Sequence, residues 1–384
     1  MRVALGCDLL DGLNCGMRIA LEGFLGGVAQ LGRQETFKLI HGSPFTGKSY
    51  EGFTDSVITR GAGPGSGLYW SQVKVPRCIR RLDVDVLHWP HQILPPINGP
   101  VPRVISVWDL APMNFREDGW GALSVRVKYR WVLARALRSA AHIICHSRAV
   151  ADEVMTQFDL PARRISVVYP GLSELFRSEL ERPALPTGEG YILYVGSCAT
   201  RKNLILLLEA YRVLMNQGVE NGLALLVSGT EAQKSRLLVH AAEIGIPAER
   251  ITVLTAVTPA DLVNVYRNAA VFGFPSLYEG FGLPLIEASA VGLPVVALNR
   301  STMPEVLGNA GILVDDDSPQ SFAEGINEAL LVSRQNGKEL AARAKARAAS
   351  FQWTTAVEQT LAVYETVCHG GRVKSATYSL EGSG

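Results

Sequence analysis

The six cysteines of this 384-residue chain stand alone at Cys7, Cys15, Cys78, Cys145, Cys198 and Cys368, and none belongs to a Cys-x-x-Cys pair. That argues against a zinc ribbon and against a disulfide scaffold, and it fits a reducing cytoplasm. No apolar run reaches the ~20 residues that span a bilayer, and Met1-Arg2-Val3-Ala4-Leu5-Gly6 runs straight into a strand rather than a secretory leader. Net charge is lacking too. At a formal +1 the whole molecule carries no nucleic-acid signature. The balance hides an asymmetry, because residues 1–175 have a surplus of five positive charges and residues 176–384 a surplus of four negative ones. Acid is missing altogether between Asp118 and Asp152. Arg126, Lys128, Arg130, Arg135, Arg138 and Arg148 occur there, with Trp120, Tyr129 and Trp131 interleaved. Such a stretch suits a solvated helix face, peripheral contact with an anionic membrane surface, or a polyprenyl-diphosphate-linked acceptor.

What the chain does have is length for two cores and a repeated alternation of short apolar strands with helical stretches. A first series is expected at Arg2–Gly6, Phe37–Ile40, Val84–His88, Val101–Val107, His142–Cys145 and Ile165–Val168. The stretch Glu174–Gly190, with two prolines, reads as a linker. A second series follows at Tyr191–Val195, Ala224–Val227, Ile251–Leu254, Val271–Phe274, Val295–Leu298 and Gly311–Val314, with helices such as Leu204–Gln217, Pro259–Asn268 and Ser318–Gln335 between. Strands alternating with helices imply parallel sheets covered on both faces. The expected fold is therefore α/β, with two Rossmann-like domains facing across a cleft. Residues 1–175 would form the first domain and 176–352 the second. A helix within 353–370 would pack back on the first domain, and 371–384, polar and rich in Gly and Ser, would be a disordered tail.

The most informative segment is Glu279-Gly280-Phe281-Gly282-Leu283-Pro284-Leu285-Ile286-Glu287. It places two carboxylates around a Gly-x-Gly turn, after a strand and before a helix opening with Pro284, a residue suited to a first helical position. The backbone N–H groups and the positive end of such a helix form an anion site. Glu279 would sit in the loop and Glu287 in the first helical turn, so that carboxylates flank the anion on both sides. A nucleotide-sugar offers that pattern: sugar hydroxyls, a diphosphate and ribose hydroxyls. Glu287 also has a plain structural reading, since acids favour first turns for the dipole alone. A second turn, Gly196-Ser197-Cys198-Ala199-Thr200-Arg201-Lys202-Asn203, ends the first strand of the second series. Its adjacent cations would neutralise a departing diphosphate; the alternative is a solvated basic turn.

Three other patterns compete. Gly42-Ser43-Pro44-Phe45-Thr46-Gly47-Lys48-Ser49 fits the P-loop pattern in full. The motif needs a helix opening at its Lys, whereas Tyr50–Gly61 shows no helical period and reads as a flexible loop. A P-loop NTPase therefore stays as the alternative. Asp83-Val84-Asp85 spells the Asp-x-Asp of metal-dependent transferases, but it precedes a strand and reads as strand entry. His88, His91 and His146 have no ligand spacing and read as structural or substrate contacts. Neither a metal nor a cofactor is expected.

Taken together, these motifs resemble a retaining glycosyltransferase of family 4, of GT-B architecture, in the group 1 glycosyltransferases. The matching stretches are Tyr191–Gly196, Arg201-Lys202-Asn203, Pro275–Pro284 through Glu287, Gly292-Leu293-Pro294-Val295-Val296, Pro304-Glu305-Val306 with Gly308-Asn309-Ala310, and Phe351-Gln352-Trp353. Asp85–Pro90 and Val107-Trp108-Asp109-Leu110-Ala111-Pro112 match more loosely. The resemblance implies a metal-independent hexosyltransferase, mannosyltransferase-like, with a GDP- or UDP-sugar as co-substrate bound on the second domain. The first domain would take a saccharide or polyprenyl-diphosphate-linked acceptor, as in surface polysaccharide assembly at the cytoplasmic face of a membrane. By the same resemblance Glu279 holds the donor sugar, Glu287 the ribose, and Arg201 and Lys202 the diphosphate. Phe281, Gly282 and Leu283 offer backbone N–H groups, Gly196 and Ser197 line the donor, and Gly16 approaches the phosphates from the other domain. Asp109 is retained, but Trp108 stands where the family usually has a His that touches the donor sugar. That departure keeps open a non-catalytic sugar-nucleotide-binding protein with a degenerate site, and a GT-B phosphorylase or epimerase is not separated by sequence. No enzyme nucleophile is evident, so the implied route is same-face attack, with the departing diphosphate taking the acceptor's proton.

Overall fold

The computed structural model describes residues 1–11, 16–43, 51–63, 65–115, 123–179, 190–255 and 257–370. The chain divides into two compact units. Met1–Met113, Ala122–Gly171 and Gln352–Gly384 make the first, and Asn114–Gly121 with Leu172–Phe351 make the second. The tail expected to be disordered, 371–384, and most of the linker, 180–189, lie outside the described residues. The linker's described start carries a short helix, Glu174–Arg177, whose first turn is capped by the Ser173 hydroxyl.

In the first unit the strands are β1 (Val3–Gly6), β2 (Phe37–His41), β3 (Thr54–Val57), β4 (Val86–Trp89), β5 (Arg103–Val107), β6 (His142–Cys145) and β7 (Ile165–Val167). They form one parallel sheet in the order 3-2-1-4-5-6-7. The second unit repeats the plan with β8 (Tyr191–Ser197), β9 (Leu223–Ser228), β10 (Ile251–Leu254), β11 (Ala269–Phe274), β12 (Val295–Leu298) and β13 (Ile312–Val314), in the order 10-9-8-11-12-13. The central strands are mostly apolar because helices cover both faces of the sheet, and every residue of β1, β4, β5, β6, β11 and β12 is buried, with His88, Arg103, Ser106 and His142 as hydrogen-bonded polar exceptions.

The strand β3 departs from expectation. Its residues, Thr54-Asp55-Ser56-Val57, are mostly exposed at the sheet edge, so no buried face writes an apolar pattern into them. The P-loop reading also fails here. The Gly42 and Ser43 N–H groups, which a phosphate cradle would need, donate instead to Asp11 Oδ2 at 2.6 and 3.1 Å. The described residues after the motif make a turn and β3, not a helix. Residues 44–50 themselves lie outside the described residues. Asp83 and Asp85 close on Arg2, with Arg2 N–H donating to Asp85 Oδ2 at 2.7 Å. The pair thus fastens the start of β1 to the start of β4.

The helices needed below are α1 (Gly16–Gln30), α2 (Leu123–Ser139), α3 (Arg148–Phe158), α4 (Leu204–Asn216), α5 (Leu283–Ala290), α6 (Pro319–Ala349) and α7 (Trp353–Cys368). The helix α6 runs well past the expected Gln335 and kinks at Asn336, where φ is −131°. In the first unit α7 packs on α1, and the Tyr364 hydroxyl meets His88 Nδ1. The two helices approach closely because α1 carries glycines where Trp353 lies. A Cβ on Gly23 would come within 2.3 Å of the Trp353 ring, and Trp353 is itself buried. Gly23→Ala is therefore expected to force α1 and α7 apart and lower stability by about 1–3 kcal/mol. Chemical denaturation tests this; an unchanged midpoint would mean that the Trp353 ring can swing aside.

Candidate functional site

In the second unit, β8 and β11 lie side by side, and open α/β sheets bind ligands beyond the carboxyl ends of such strands. After β8 the chain makes a tight turn. A Cβ on Gly196 would lie 2.4 Å from the Tyr194 hydroxyl, which donates to Ser197 O at 3.0 Å. Thr200–Lys202 then form one 3₁₀ turn, and Asn203 enters α4 in the left-handed conformation, φ 53°. A backbone bond from Leu277 N–H to Arg201 O, 2.8 Å, joins this loop to the one that follows β11.

Across that junction stand the three charged residues. Lys202 Nζ bonds Glu279 Oε1, and Arg201 Nη1 lies 3.4 Å from Oε2 and 3.2 Å from Tyr278 O. Lys202 is 8% and Glu279 6% exposed, so the cluster is nearly dry and its interactions are poorly screened. Burial works to raise the Glu279 carboxyl, but the Lys202 and Arg201 charges outweigh it and hold the group below its ordinary value. One carboxylate against two cations leaves a net positive charge. The solvated-turn reading of Arg201-Lys202 does not survive this burial.

The helix N-terminus lies in the same loop. Gly282 adopts φ 92° and ψ 59°, a left-handed geometry that glycine takes at no steric cost. The helix α5 starts immediately after it, with Pro284 in second place. Phe281 is buried, its ring edge-on to Phe351 at 5.4 Å, and this anchors the turn. Because the helix begins at Leu283, Glu287 is its fifth residue. The expectation that Glu287 occupies the first turn is corrected: no acid lies there, and the dipole does not explain its presence. Instead Glu287 Oε2 accepts from the Tyr266 hydroxyl at 2.9 Å. Burial pushes its carboxyl up to about 7, against the pull of that hydrogen bond.

Two contributors were invisible in the sequence. Tyr266 pairs with Glu287 from a different helix, a contact no local spacing reveals. Ser301, after β12, is a non-glycine residue at φ 52°. Its hydroxyl donates to Glu279 O at 2.9 Å and accepts Glu279 N–H at 3.3 Å, which clamps the backbone of the central carboxylate. Only the turn chemistry after β12 hinted at it.

The remaining candidates belong to the first unit. Trp108 stacks on His146 with ring centroids 3.6 Å apart; its indole N–H donates to Pro90 O at 2.9 Å and its backbone N–H to Gln92 Oε1 at 3.1 Å. Asp109 Oδ1 accepts the Ala111 N–H at 3.0 Å and Gln92 Nε2 at 3.5 Å, which places the carboxylate over the start of the next helical turn. His146 donates through Nδ1 to Val168 O, and burial lowers its pKa to about 4, so the ring is neutral. Burial takes His88 to about 3, and His91 is held by Asp8 at 2.9 Å. Gly16 is exposed at the first position of α1, with open space where a Cβ would sit. The rest of its loop, 12–15, lies outside the described residues.

Two family models match adjoining parts of the chain, between residues 48 and 350. Residues 48–174 match Glycosyltransferase Family 4 and residues 176–350 match Glycosyl transferases group 1. The chain belongs to the group 1 glycosyltransferases. It is 32% identical over 249 residues to O-antigen chain mannosyltransferase B of Escherichia coli, covering 62% of this chain and 65% of that protein. It is 29% identical over 273 residues to the serotype-specific mannosyltransferase WbdA of the same species, covering 68% of this chain and 33% of that protein. The match thus spans just under two-thirds of the first relative and about one-third of the second. Anabaena HepE, solved with UDP and glucose, superposes with a TM-score of 0.71 at 17% identity, over 95% of this chain and all of that one. That likeness establishes the GT-B fold for this group 1 glycosyltransferase.

The raised Glu287 carboxyl carries a stability consequence. Its native state holds a proton that the unfolded chain releases in the ordinary carboxylate range, so stability falls as pH rises from there to about 7. Glu287→Gln keeps an acceptor for Tyr266 and removes the charge. It is expected to raise stability at pH 8 by roughly 1 kcal/mol, discounted for the side chain's partial exposure, with little effect at pH 5. Melting curves at the two pH values check this, and an equal shift at both would refute the assignment.

Proposed function

We propose that this group 1 glycosyltransferase moves a hexose, with retention of configuration and without a catalytic metal, from a nucleotide-diphosphate sugar to a saccharide or lipid-linked acceptor. The observation that carries the reading is the dry Arg201–Glu279–Lys202 cluster, set beside the N-terminus of α5 at the carboxyl ends of β8 and β11. A diphosphate needs fixed positive charge, and the two cations with the helix end supply it. The sugar needs a hydrogen-bond acceptor next to that charge, which Glu279 supplies. The ribose needs a second acceptor beyond it, which Glu287 supplies.

In this proposal the cluster has two states. Without donor, Glu279 occupies both cations. With donor bound, the diphosphate takes over Arg201 and Lys202, and Glu279 is released to accept hydroxyls of the sugar. As the anomeric bond breaks, charge grows on the departing diphosphate, and Arg201, Lys202 and the α5 N-terminus stabilise it where little water screens them. The acceptor attacks from the same face and its proton passes to the leaving phosphate, so no enzyme nucleophile is required. Trp108 and Asp109 are proposed to contribute from the first unit, with the Trp108 ring held in place by His146. The kinship with two Escherichia coli mannosyltransferases supports a mannose-type donor and a role in surface polysaccharide assembly, and the HepE structure supports a UDP-sugar. A GDP- or UDP-sugar is the proposed co-substrate, and the cytoplasmic face of the membrane the proposed setting. Among the described residues no helix is long and apolar enough to cross a membrane.

The expected result is that one nucleotide-sugar, in a thermal-shift screen of UDP-, GDP- and ADP-sugars, raises the melting temperature, and that Glu287→Ala abolishes the effect. Lys202→Ala is expected to stay folded and lose on the order of 100–1,000-fold in turnover. Near-normal turnover in that variant would remove the diphosphate role. Stabilisation by donor with no transfer to any acceptor would favour a binding protein over an enzyme.

A further inference from the structure

The helix α2 has an outward face that its own fold leaves uncovered. Tyr129, Val132, Leu133, Ala136 and Leu137 are buried in the first unit and use one side of the helix. On the opposite side Val127, Trp131, Arg135 and Arg138 recur at spacings of three and four residues, which align on one face. Val127 is 57% and Trp131 59% exposed. Val127, one turn before Trp131, extends its exposed ring into one apolar tip ringed by cations. The Arg135 guanidinium lies over the Trp131 ring, 5.2 Å from its centroid, so the apolar tip and the cation form one structure. Lys128 and Arg130 flank the stripe, both exposed.

The charge around this tip has a single sign. No Asp or Glu occurs between Asp118 and Asp152, and among the described residues none of Lys128, Arg130, Arg135 and Arg138 is paired with a carboxylate. Two further arginines reach the end of the helix: Arg103 donates to Ser139 O at 2.6 Å and Arg164 to Leu137 O at 2.8 Å. They hold the C-terminal turn rigid. A protein partner of ordinary composition would need acids to meet this face. A duplex would meet its cations but leave Val127 and Trp131 without use. An anionic bilayer meets both features, because headgroup phosphates face the cations while the indole and valine enter the interface between headgroups and chains.

We infer that the exposed face of α2 docks this protein peripherally on anionic lipid, with Trp131 as the inserted anchor and Lys128, Arg130, Arg135 and Arg138 as the electrostatic ring. The inference stands on the first unit alone and holds whether or not the donor site works as proposed. It places a lipid surface beside the unit proposed to receive the acceptor.

The test is co-sedimentation of the full chain with phosphatidylcholine vesicles, with and without phosphatidylglycerol, at low and high salt. Binding is expected only with phosphatidylglycerol and is expected to fall with salt. Lys128→Gln with Arg135→Gln is expected to weaken it roughly thirtyfold. Trp131→Ala is expected to weaken it by a factor that salt does not change. Brominated lipid chains are expected to quench part of the tryptophan fluorescence, and that part disappears in Trp131→Phe. All these positions are exposed, so melting temperatures matching the wild type show that the variants fold. Equal binding to neutral vesicles, unchanged binding in the double variant, or tighter binding to duplex DNA than to vesicles at the same salt would each overturn the inference.

Discussion

The Glu279 carboxylate between Arg201 and Lys202 is the interaction on which the arrangement of the second unit's loops depends. Three ionised groups in a nearly dry site would be costly if any one of them lacked a partner, since removing one member of a buried pair leaves an uncompensated charge. The cluster settles this by sharing: each carboxylate oxygen takes a different cation, and the loops are tied by the Leu277–Arg201 backbone bond and the Ser301 clamp. The loops after β8, β11 and β12 are thereby locked to one another around a single residue, Glu279. The internal counter-charge pre-organises the two cations, so they would not need to be ordered on arrival of the proposed diphosphate ligand.

Placement follows from topology. The strand β8 is central in its sheet, flanked by β9 and β11, and the order of connection reverses at β8. The loops leaving β8 and β11 therefore diverge to opposite faces and leave a crevice at their carboxyl ends. Arg201 and Lys202 come from one of these loops and Glu279 from the other. Their adjacency is a consequence of strand order, and so is the arrival of Ser301 from the next strand along.

This topology also explains which parts were legible in the sequence. The central strands read as mostly apolar runs because they are buried on both faces, and twelve of the thirteen strands among the described residues match expected apolar stretches, including the half-buried edge strands β7, β10 and β13. The strand β3 has a solvent-exposed edge and polar residues, so it left no such trace. The charged cluster was readable as a pair of motifs because each loop is local in sequence. Tyr266 and Ser301 were not, since a single hydroxyl that reaches a carboxylate or a backbone group some twenty residues away leaves no periodicity. A helix opening at Pro284 puts Glu287 in its first turn, whereas the left-handed Gly282 lets the helix begin one position earlier and moves Glu287 out of it. The P-loop pattern shows the opposite failure. Its residues match a motif, but the backbone donors at its start are spent on Asp11, and a motif cannot cradle phosphate with N–H groups already given to a carboxylate of the same chain.

Trp108 illustrates how a departure from the family pattern is absorbed. An indole where a small ring usually stands needs a surface to lie on and an acceptor for its N–H, and both are present in His146 and Pro90 O. The price falls on His146, which burial under the indole keeps neutral and whose Nδ1 proton is committed to Val168 O. A ring so held is a poor proton carrier at any physiological pH and a good rigid floor. The sequence departure at 108 therefore replaces a titratable side chain with a flat, apolar, immobile one. In the second unit Glu287 shows the reverse arrangement: a carboxyl kept against its solvation preference, with one hydroxyl as partner. Such a group destabilises the protein in its charged form, and the proposed ribose hydroxyls would offset that cost. Stability alone would favour an amide there, and the proposed ribose contact is what a carboxylate would add.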